Sequence, residues 1–453
     1  MAQEQRDTRR EYRRKRRVRN QMLSYTFLAL FLVLLVVGGF LLFSGVLSKE
    51  QDTNIDNNIA DDIPDENIPD IVIPSVPEDE DKDKPEKVEP ELSEEEKKLL
   101  EMADAYISQM TLREKVAGLF IVTPEQLTKV SKVTVAGNTT KKYLEQYAVG
   151  GFIYFSQNIV NYDSFKTMLE KTKEYAKYPM FLSIDEEGGT VSRVASTISK
   201  VKNVGNMSDI GATGDVANAT KAYTDVANYL SDLGINLNFA PVADVQTEIN
   251  NLFAKRSFGN DATNVAKFIE ASVLALQQHK VSACLKHFPG HGATEGDSEI
   301  GMAVTKRTLV QMCESEFLPF IAGINAGVDF VMVGHIAVPS ITGNNTPATL
   351  SRALITDVLR NELGFNGIVV TDAMNMGAIT EYYTSGEAAV AALTAGADMI
   401  LMPEDFEEAY NAVLDAISND VLSEERIDES LRRIYMVKCK NNMATSFEDI
   451  GNN

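Results

Sequence analysis

Eight short apolar runs constrain the fold of this chain more than any other feature. They lie at residues 116–122, 151–155, 180–184, 235–240, 281–285, 330–333, 367–370 and 399–402. Each is short for a helix and too continuously apolar for a strand with one wet face, the pattern of strands buried on both sides. The segments between them are mostly long enough to hold a helix. Alternation of this kind favours a (β/α)8 TIM barrel, with an open doubly wound sheet as the competing arrangement.

A barrel places its chemistry at the C-terminal ends of its strands. Asp185 follows the third run, Asp244 the fourth, Lys286 and His287 the fifth, His335 the sixth and Asp372 the seventh. Polarity repeated at five strand ends points to a site more than to a generally polar surface. The densest concentration is V-S-A-C-L-K-H-F-P-G-H-G-A-T-E-G-D-S-E-I-G at 281–301. An apolar run turns polar at Lys286-His287 and breaks at Pro289-Gly290, and two of the four histidines sit there with three acids. A buried strand that delivers a lysine and a histidine to a Gly-rich loop is a candidate site. The plainer reading is a solvated loop.

Five motifs carry a resemblance. They are I-D-E-E-G-G-T-V-S-R at 184–193, N-F-A-P-V-A-D-V at 238–245, R-S-F-G at 256–259, K-H-F-P-G-H-G at 286–292 and G-F-N-G-I-V-V-T-D-A-M-N-M at 364–376. Together, and in this order, they resemble glycoside hydrolase family 3, and within it the bacterial β-N-acetylhexosaminidases. The likeness spans roughly residues 99–438.

The resemblance implies a retaining glycosidase with Asp372 as nucleophile. A carboxylate is needed there to trap the oxocarbenium-like centre as a glycosyl-enzyme. On residue type alone, Asp372 reads equally well as a helix N-cap. The resemblance further implies that Asp185, Arg193, Arg256, Lys286 and His287 bind the sugar. Carboxylates paired with cationic donors suit a polyol, whose hydroxyls both give and accept hydrogen bonds. Arg193 and Arg256 also have a structural reading as ion-pair partners at the barrel mouth. His291 and His335 read as residues that orient loops, and Asp244 reads equally well as structural or functional.

The chain departs from the family where the acid/base is expected. Relatives carry Asp-Ser/Thr-His in the loop after K-H-F-P-G-H-G, whereas this chain reads Asp297-Ser298-Glu299. Three outcomes follow: Glu299 protonates the leaving group with Asp297 raising its pKa, Glu295 takes over, or the protein binds sugar with little turnover. Thr190 in place of an arginine in the E-G-G motif is a milder departure. The second α/β domain of many relatives finds no room before Asn453, so the acid/base is expected from the barrel.

Residues 1–92 differ in character from the rest. Arg9 to Arg19 is a dense basic patch, and residues 22–47 are uncharged and mostly Leu, Val and Phe. That length suffices to span a bilayer core of about 20 helical residues. The basic flank then predicts a cytoplasmic N-terminus and an extracytoplasmic catalytic domain, in a single-pass protein of the cell membrane. A cleaved signal peptide is the alternative, but the run is long and ends without an A-x-A-like site. Beside a span, the basic patch is a topology signal rather than a nucleic-acid site.

Acids outnumber lysines sixteen to three between Glu50 and Glu91, with repeated prolines and no aromatic residue. This reads as a disordered tether, so much of the net charge of −22 belongs to a linker. The domain expectation is therefore a basic segment 1–21, a transmembrane anchor 22–47, an acidic linker 48–92, a barrel 93–443 and a tail 444–453. Ser93 begins the barrel as an N-cap, in S-E-E-E.

Three cysteines, Cys284, Cys313 and Cys439, form no disulfide framework and read as buried thiols. No motif suggests a metal, and neither a metal nor an organic cofactor is expected. The expected activity is release of terminal β-linked N-acetylglucosamine from cell-wall or related glycans. The alternatives are a β-glucosidase or phosphorylase of the same family, or a membrane-anchored glycan-binding protein.

Overall fold

The computed structural model describes residues 93–247 and 254–444. The expected basic segment, membrane anchor, acidic linker and nearly all of the tail lie outside those residues. Among the described residues no helix is long and apolar enough to cross a membrane. The longest are helices of 17 residues, each with one polar face, whereas a bilayer core takes about 20 mostly apolar ones. This corrects the expected fold class and location. The fold class is the barrel, and the transmembrane helix, the single-pass membrane placement and the extracytoplasmic domain are dropped from it.

Each of the eight apolar runs overlaps a barrel strand. These are β1 Phe120–Val122, β2 Gly151–Tyr154, β3 Phe181–Ile184, β4 Leu237–Asn238, β5 Ser282–Phe288, β6 Phe330–Val333, β7 Ile368–Thr371 and β8 Ile400–Leu401. Neighbours pair in parallel in the order β7-β6-β5-β4-β3-β2-β1-β8. A bridge between Val370 and Met399, with the Thr371 N–H donating to the Met399 carbonyl at 3.0 Å, brings β7 to β8 and closes the ring.

A helix follows each strand: α1 Asn138–Gln146, α2 Tyr162–Tyr175, α3 Ala217–Leu233, α4 Ala262–Gln278, α5 Phe317–Asn325, α6 Ala353–Glu362, α7 Ser385–Ala395 and α8 Phe406–Ser418. α6 is wound as a π-helix. In α4 the buried residues Val265, Phe268, Ile269, Ser272, Val273 and Leu276 recur at the three- and four-residue spacing of a single stripe. That stripe faces the strands and leaves the other side of the helix to water. The strands are covered on both sides and fully buried, which is why they read as continuous apolar runs.

The closing seam is fastened by charge. Asp398, just before β8 and wholly buried, accepts from Arg360 at 2.5 Å, Arg433 at 3.0 Å, Ser430 at 2.8 Å and the Val369 N–H at 2.9 Å. Arg433 and Ser430 belong to the last described helix, Glu424–Lys440. That helix also stacks Tyr435 on Tyr106 of the first, Glu94–Ile107, with ring centroids 5.1 Å apart. The first helix begins as its S-E-E-E signature implies, with Ser93 and Glu96 exchanging cap hydrogen bonds.

Two local expectations fail. Residues 116–117 are helical, because Thr111 and Glu114 form a capping box that starts the helix Leu112–Ala117 ahead of β1. Cys313 is exposed, on the outer face of the short helix Leu309–Glu314, while Cys284 and Cys439 are buried.

Candidate active site

The C-terminal ends of the strands open into a cavity of about 450 Å³. Asp372, Glu299, Asp297, Asp185, Arg193, Arg256, Lys286 and His287 all line it. The eight residues picked from the sequence therefore meet in one place, although they are spread over almost 190 positions from Asp185 to Asp372. A larger groove of about 710 Å³ lies on the flank, around Tyr162, Lys200 and Tyr229, and contains none of them.

β3 delivers three consecutive acids to the rim. Asp185 and Glu187 both accept from Lys286 Nζ, at 2.6 and 2.7 Å. Glu187, wholly buried, also takes Arg256 through two parallel N–H···O bonds of 2.7 Å. Burial pushes the Glu187 carboxyl up, but Lys286 and Arg256 overcome it and hold it down at about 2. Arg256 is thus an ion-pair partner as well as part of the cavity wall.

Glu186, between the two, points away from the cavity. It accepts from the Val194 and Ala195 N–H groups at 2.7 and 3.1 Å and from the Tyr229 hydroxyl at 2.9 Å. Burial raises it to about 6, against those three hydrogen bonds. The hairpin between Glu186 and Ser192 turns at Gly188 and Gly189, with φ of 106° and 60°, conformations that favour glycine. This strap returns Arg193 to the cavity, 5.6 Å from the centre of the Phe155 ring.

β5 supplies Lys286 and His287, and the segment after β4 supplies the residue that holds His287 in place. Asp244, wholly buried, accepts the His287 N–H at 3.2 Å, His287 Nδ1 at 2.7 Å and the His291 N–H at 2.6 Å. Burial raises the Asp244 carboxyl, and the two histidines lower it by more, so it is ionised and accepts only. His287 Nδ1 therefore carries a proton and donates it to Asp244.

β7 presents Asp372 at the cavity floor. Burial raises its carboxyl, while His287, His335, the Ala373 N–H and Lys286 bring it below the ordinary aspartate value. Asp372 Oδ1 accepts the Ala373 N–H at 2.8 Å and caps no helix; the next one, Gly377–Thr380, has Met376 at its N-cap. His335 stands behind Asp372 and outside the lining, bridging Thr349 to the Ala373 carbonyl.

Glu299 projects at the mouth from the loop after β5. Partial burial raises its carboxyl above the ordinary range, and the charges of Asp372 and Asp297 add to that. Asp297 also accepts the Glu299 N–H at 3.0 Å. Glu295 turns away from the site and pairs with Lys306 on the surface, both side chains exposed. One cavity thus holds an ionised carboxylate and a second carboxyl with raised proton affinity.

Residues 111–437 match the family model for the glycosyl hydrolase family 3 N terminal domain. The chain belongs to this family. Among curated relatives, beta-hexosaminidase A of Pseudoalteromonas piscicida is 34% identical over 327 residues, which cover 66% of this chain and 54% of that one. A beta-N-acetylglucosaminidase/beta-glucosidase of Cellulomonas fimi is 31% identical over 301 residues, 64% of this chain and 52% of the relative. The chain therefore spans about half the length of these two relatives.

A solved family 3 beta-N-acetylglucosaminidase from Paenibacillus sp. FPU-7 superposes with a TM-score of 0.68 at 34% identity. The superposition covers 74% of this chain and 64% of that one. A family 3 glycosyl hydrolase from Mycobacterium smegmatis gives a TM-score of 0.65 at 30% identity, covering 73% and 98%.

The role of Glu187 is not legible in the sequence. Its signal was present: three acids in a row between an apolar strand and a Gly-Gly turn. What the sequence lacks is the direction each of the three points.

Proposed function

We propose that the barrel is a retaining glycoside hydrolase that releases terminal β-linked N-acetylglucosamine. The observation that carries this reading is the opposed titration of two carboxyls lining one cavity, Asp372 held ionised and Glu299 held toward its protonated form. That is the pairing double displacement requires. The names of the family 3 relatives support the N-acetylglucosaminide specificity.

In the first step an Asp372 carboxylate oxygen attacks the anomeric carbon as the glycosidic C–O bond breaks. Glu299 transfers its proton to the departing oxygen, which leaves a glycosyl ester on Asp372. In the second step Glu299, now a carboxylate, takes a proton from water. The resulting oxygen attacks the same carbon, releasing the sugar with its configuration retained and restoring both carboxyls.

Lys286, Arg256, Asp185, Arg193 and His287 hold the sugar by its hydroxyls. Because Glu187 and Asp185 neutralise Lys286 and Arg256, the cavity presents directed donors without a large excess of positive charge. That suits a neutral polyol. Release of nitrophenol from the aryl N-acetyl-β-glucosaminide tests the reading. Turnover that exceeds that of the β-glucoside supports it. Preference for the glucoside, or binding of N-acetylglucosamine without turnover, counts against it.

A further inference from the structure

The side chain proposed to donate the proton stands on a loop, yet such a group needs a fixed position relative to Asp372. The loop between β5 and α5 is built to supply one. Glu295 and Val304 exchange two backbone hydrogen bonds of 2.8 and 2.9 Å, closing the loop at its base. At its tip, Asp297 accepts the Glu299 N–H through its side chain and the Ile300 and Gly301 N–H groups through its carbonyl.

Between these lies Ser298, 3% exposed, although Glu299 and Ile300 beside it are both exposed. Its hydroxyl lies 2.9 Å from His291 Nε2. Its carbonyl and that of Glu299 accept the Ala378 and Gly377 N–H groups, at 3.3 and 3.2 Å, from the segment after Asp372. A Cβ at Gly377 would stand 2.4 Å from the Ile300 carbonyl oxygen, so the close approach requires glycine.

The direction of each hydrogen bond follows from the protons available. The Thr294 hydroxyl donates to the His291 carbonyl at 2.9 Å, so His291 Nδ1, 2.7 Å from the same oxygen, donates to it. Burial, with the charge of His287, lowers the His291 pKa and favours the neutral ring. Nε2 therefore carries a lone pair, and the Ser298 hydroxyl donates to it. The His291 N–H is itself held by Asp244, the carboxylate that also orients His287.

We propose that Ser298 and His291 form a latch that positions Glu299 for proton transfer. Through Asp244 it ties the loop to the same anchor as the sugar-holding histidine. Ser298 and His291 are positioning residues, acting through Glu299. The proposal rests on the acid/base reading of Glu299 given above.

The test is Ser298→Ala in the full chain, assayed on an unactivated N-acetylglucosaminyl disaccharide and on aryl glycosides of increasing leaving-group ability. A misplacement of about 1 Å can lower a rate by about 100-fold. The expected loss of kcat/KM, which reports the first step, is of the order of 10- to 100-fold on the disaccharide and less than about threefold on the best aryl leaving group. On the best aryl leaving group kcat and KM fall together, because Glu299 also serves as the base of the second step. The basic limb of the pH–rate profile moves to lower pH, because Glu299 leaves the fields of Asp372 and Asp297 that raise it. Ser298→Thr keeps the hydroxyl and restores both rate and profile. His291→Gln, which replaces the ring acceptor, repeats the leaving-group dependence and serves should Ser298→Ala not fold.

Equal losses on all substrates, or unchanged rates and an unchanged basic limb, overturn the latch. Failure of the underlying reading is distinguishable. In that case Glu299→Gln itself shows no dependence on the leaving group, and the latch falls with it.

Discussion

Glu187 grips Arg256 through two parallel N–H···O bonds of 2.7 Å while its Oε1 also lies 2.7 Å from Lys286 Nζ. One wholly buried carboxylate thus sets the position of two cations lining the cavity. Removing one partner of a buried ionic group leaves uncompensated charge, at a cost of about 3–5 kcal/mol. Glu187→Gln should lower thermal stability by that order and raise KM for the aryl glycoside, with Asp372 still in place. Unchanged melting temperature and KM would show that Lys286 and Arg256 do not depend on it.

Glu299→Gln should reduce kcat/KM on unactivated glycans by about 10²–10⁴-fold, the usual worth of a general acid, and kcat/KM on activated aryl glycosides far less. The direction of its pH effect follows from the proton inventory. Glu299 acts protonated, so kcat/KM falls as pH rises through its raised pKa. Asp372 acts ionised, so activity falls at low pH through its depressed one. Glu299→Gln should abolish the basic limb on the activated substrate and keep the acidic limb. Glu299→His should move the basic limb toward the ordinary histidine value, about 6.5. A basic limb untouched by either substitution would assign it to another group.

Lys438 provides a test of stability far from the cavity. It is 2% exposed, stands 5.1 Å from the Phe181 ring centre and 4.6 Å from that of Tyr435, and pairs with no carboxylate among the described residues. Burial brings its pKa down to about 7, against an opposing effect from Cys439. Between pH 7 and the unfolded value near 10.4, the unfolded chain binds the extra proton, so stability from this group rises with pH across that window. Below pH 7 both states are charged and its cost, on the order of a few kcal/mol, is fully present. Lys438→Met should therefore stabilise the protein most at and below neutral pH, with the gain shrinking toward pH 10. Melting curves across that range would check it, and a gain independent of pH would refute it.

The fold was legible because a closed parallel barrel buries its strands on both faces and leaves a distinct apolar run for each. The candidate site was legible for a related reason. At Asp185, Asp244, Lys286-His287 and Asp372 the run stops and a polar side chain follows, as happens wherever a strand ends at an open mouth. Local chemistry explains what was misplaced. Val116 continues an apolar run, but the Thr111–Glu114 capping box had already committed it to a helix. Cys313 sits among apolar residues yet faces outward on a helix too short to show its own period.

The roles of Glu187, Asp244 and His291 depend on contacts between segments some 40 to 100 positions apart. The pairs 187 with 286, 244 with 287 and 291 with 244 are examples. No local pattern encodes these. The apolar run at 22–47 reads as a span by length and composition alone; it lies outside the described residues, and among those no helix is long and apolar enough to cross a membrane.

The most direct measurement asks whether Asp372 becomes covalently bonded to the sugar. Glu299→Gln, given an activated aryl N-acetyl-β-glucosaminide, completes the first step and stalls at the second, for want of a base to activate water. Intact-mass and peptide mass spectrometry should find one N-acetylglucosaminyl group on the Asp372 peptide, and none when Asp372→Asn is added. Turnover that survives Asp372→Asn, or an adduct on another residue, would contradict the account.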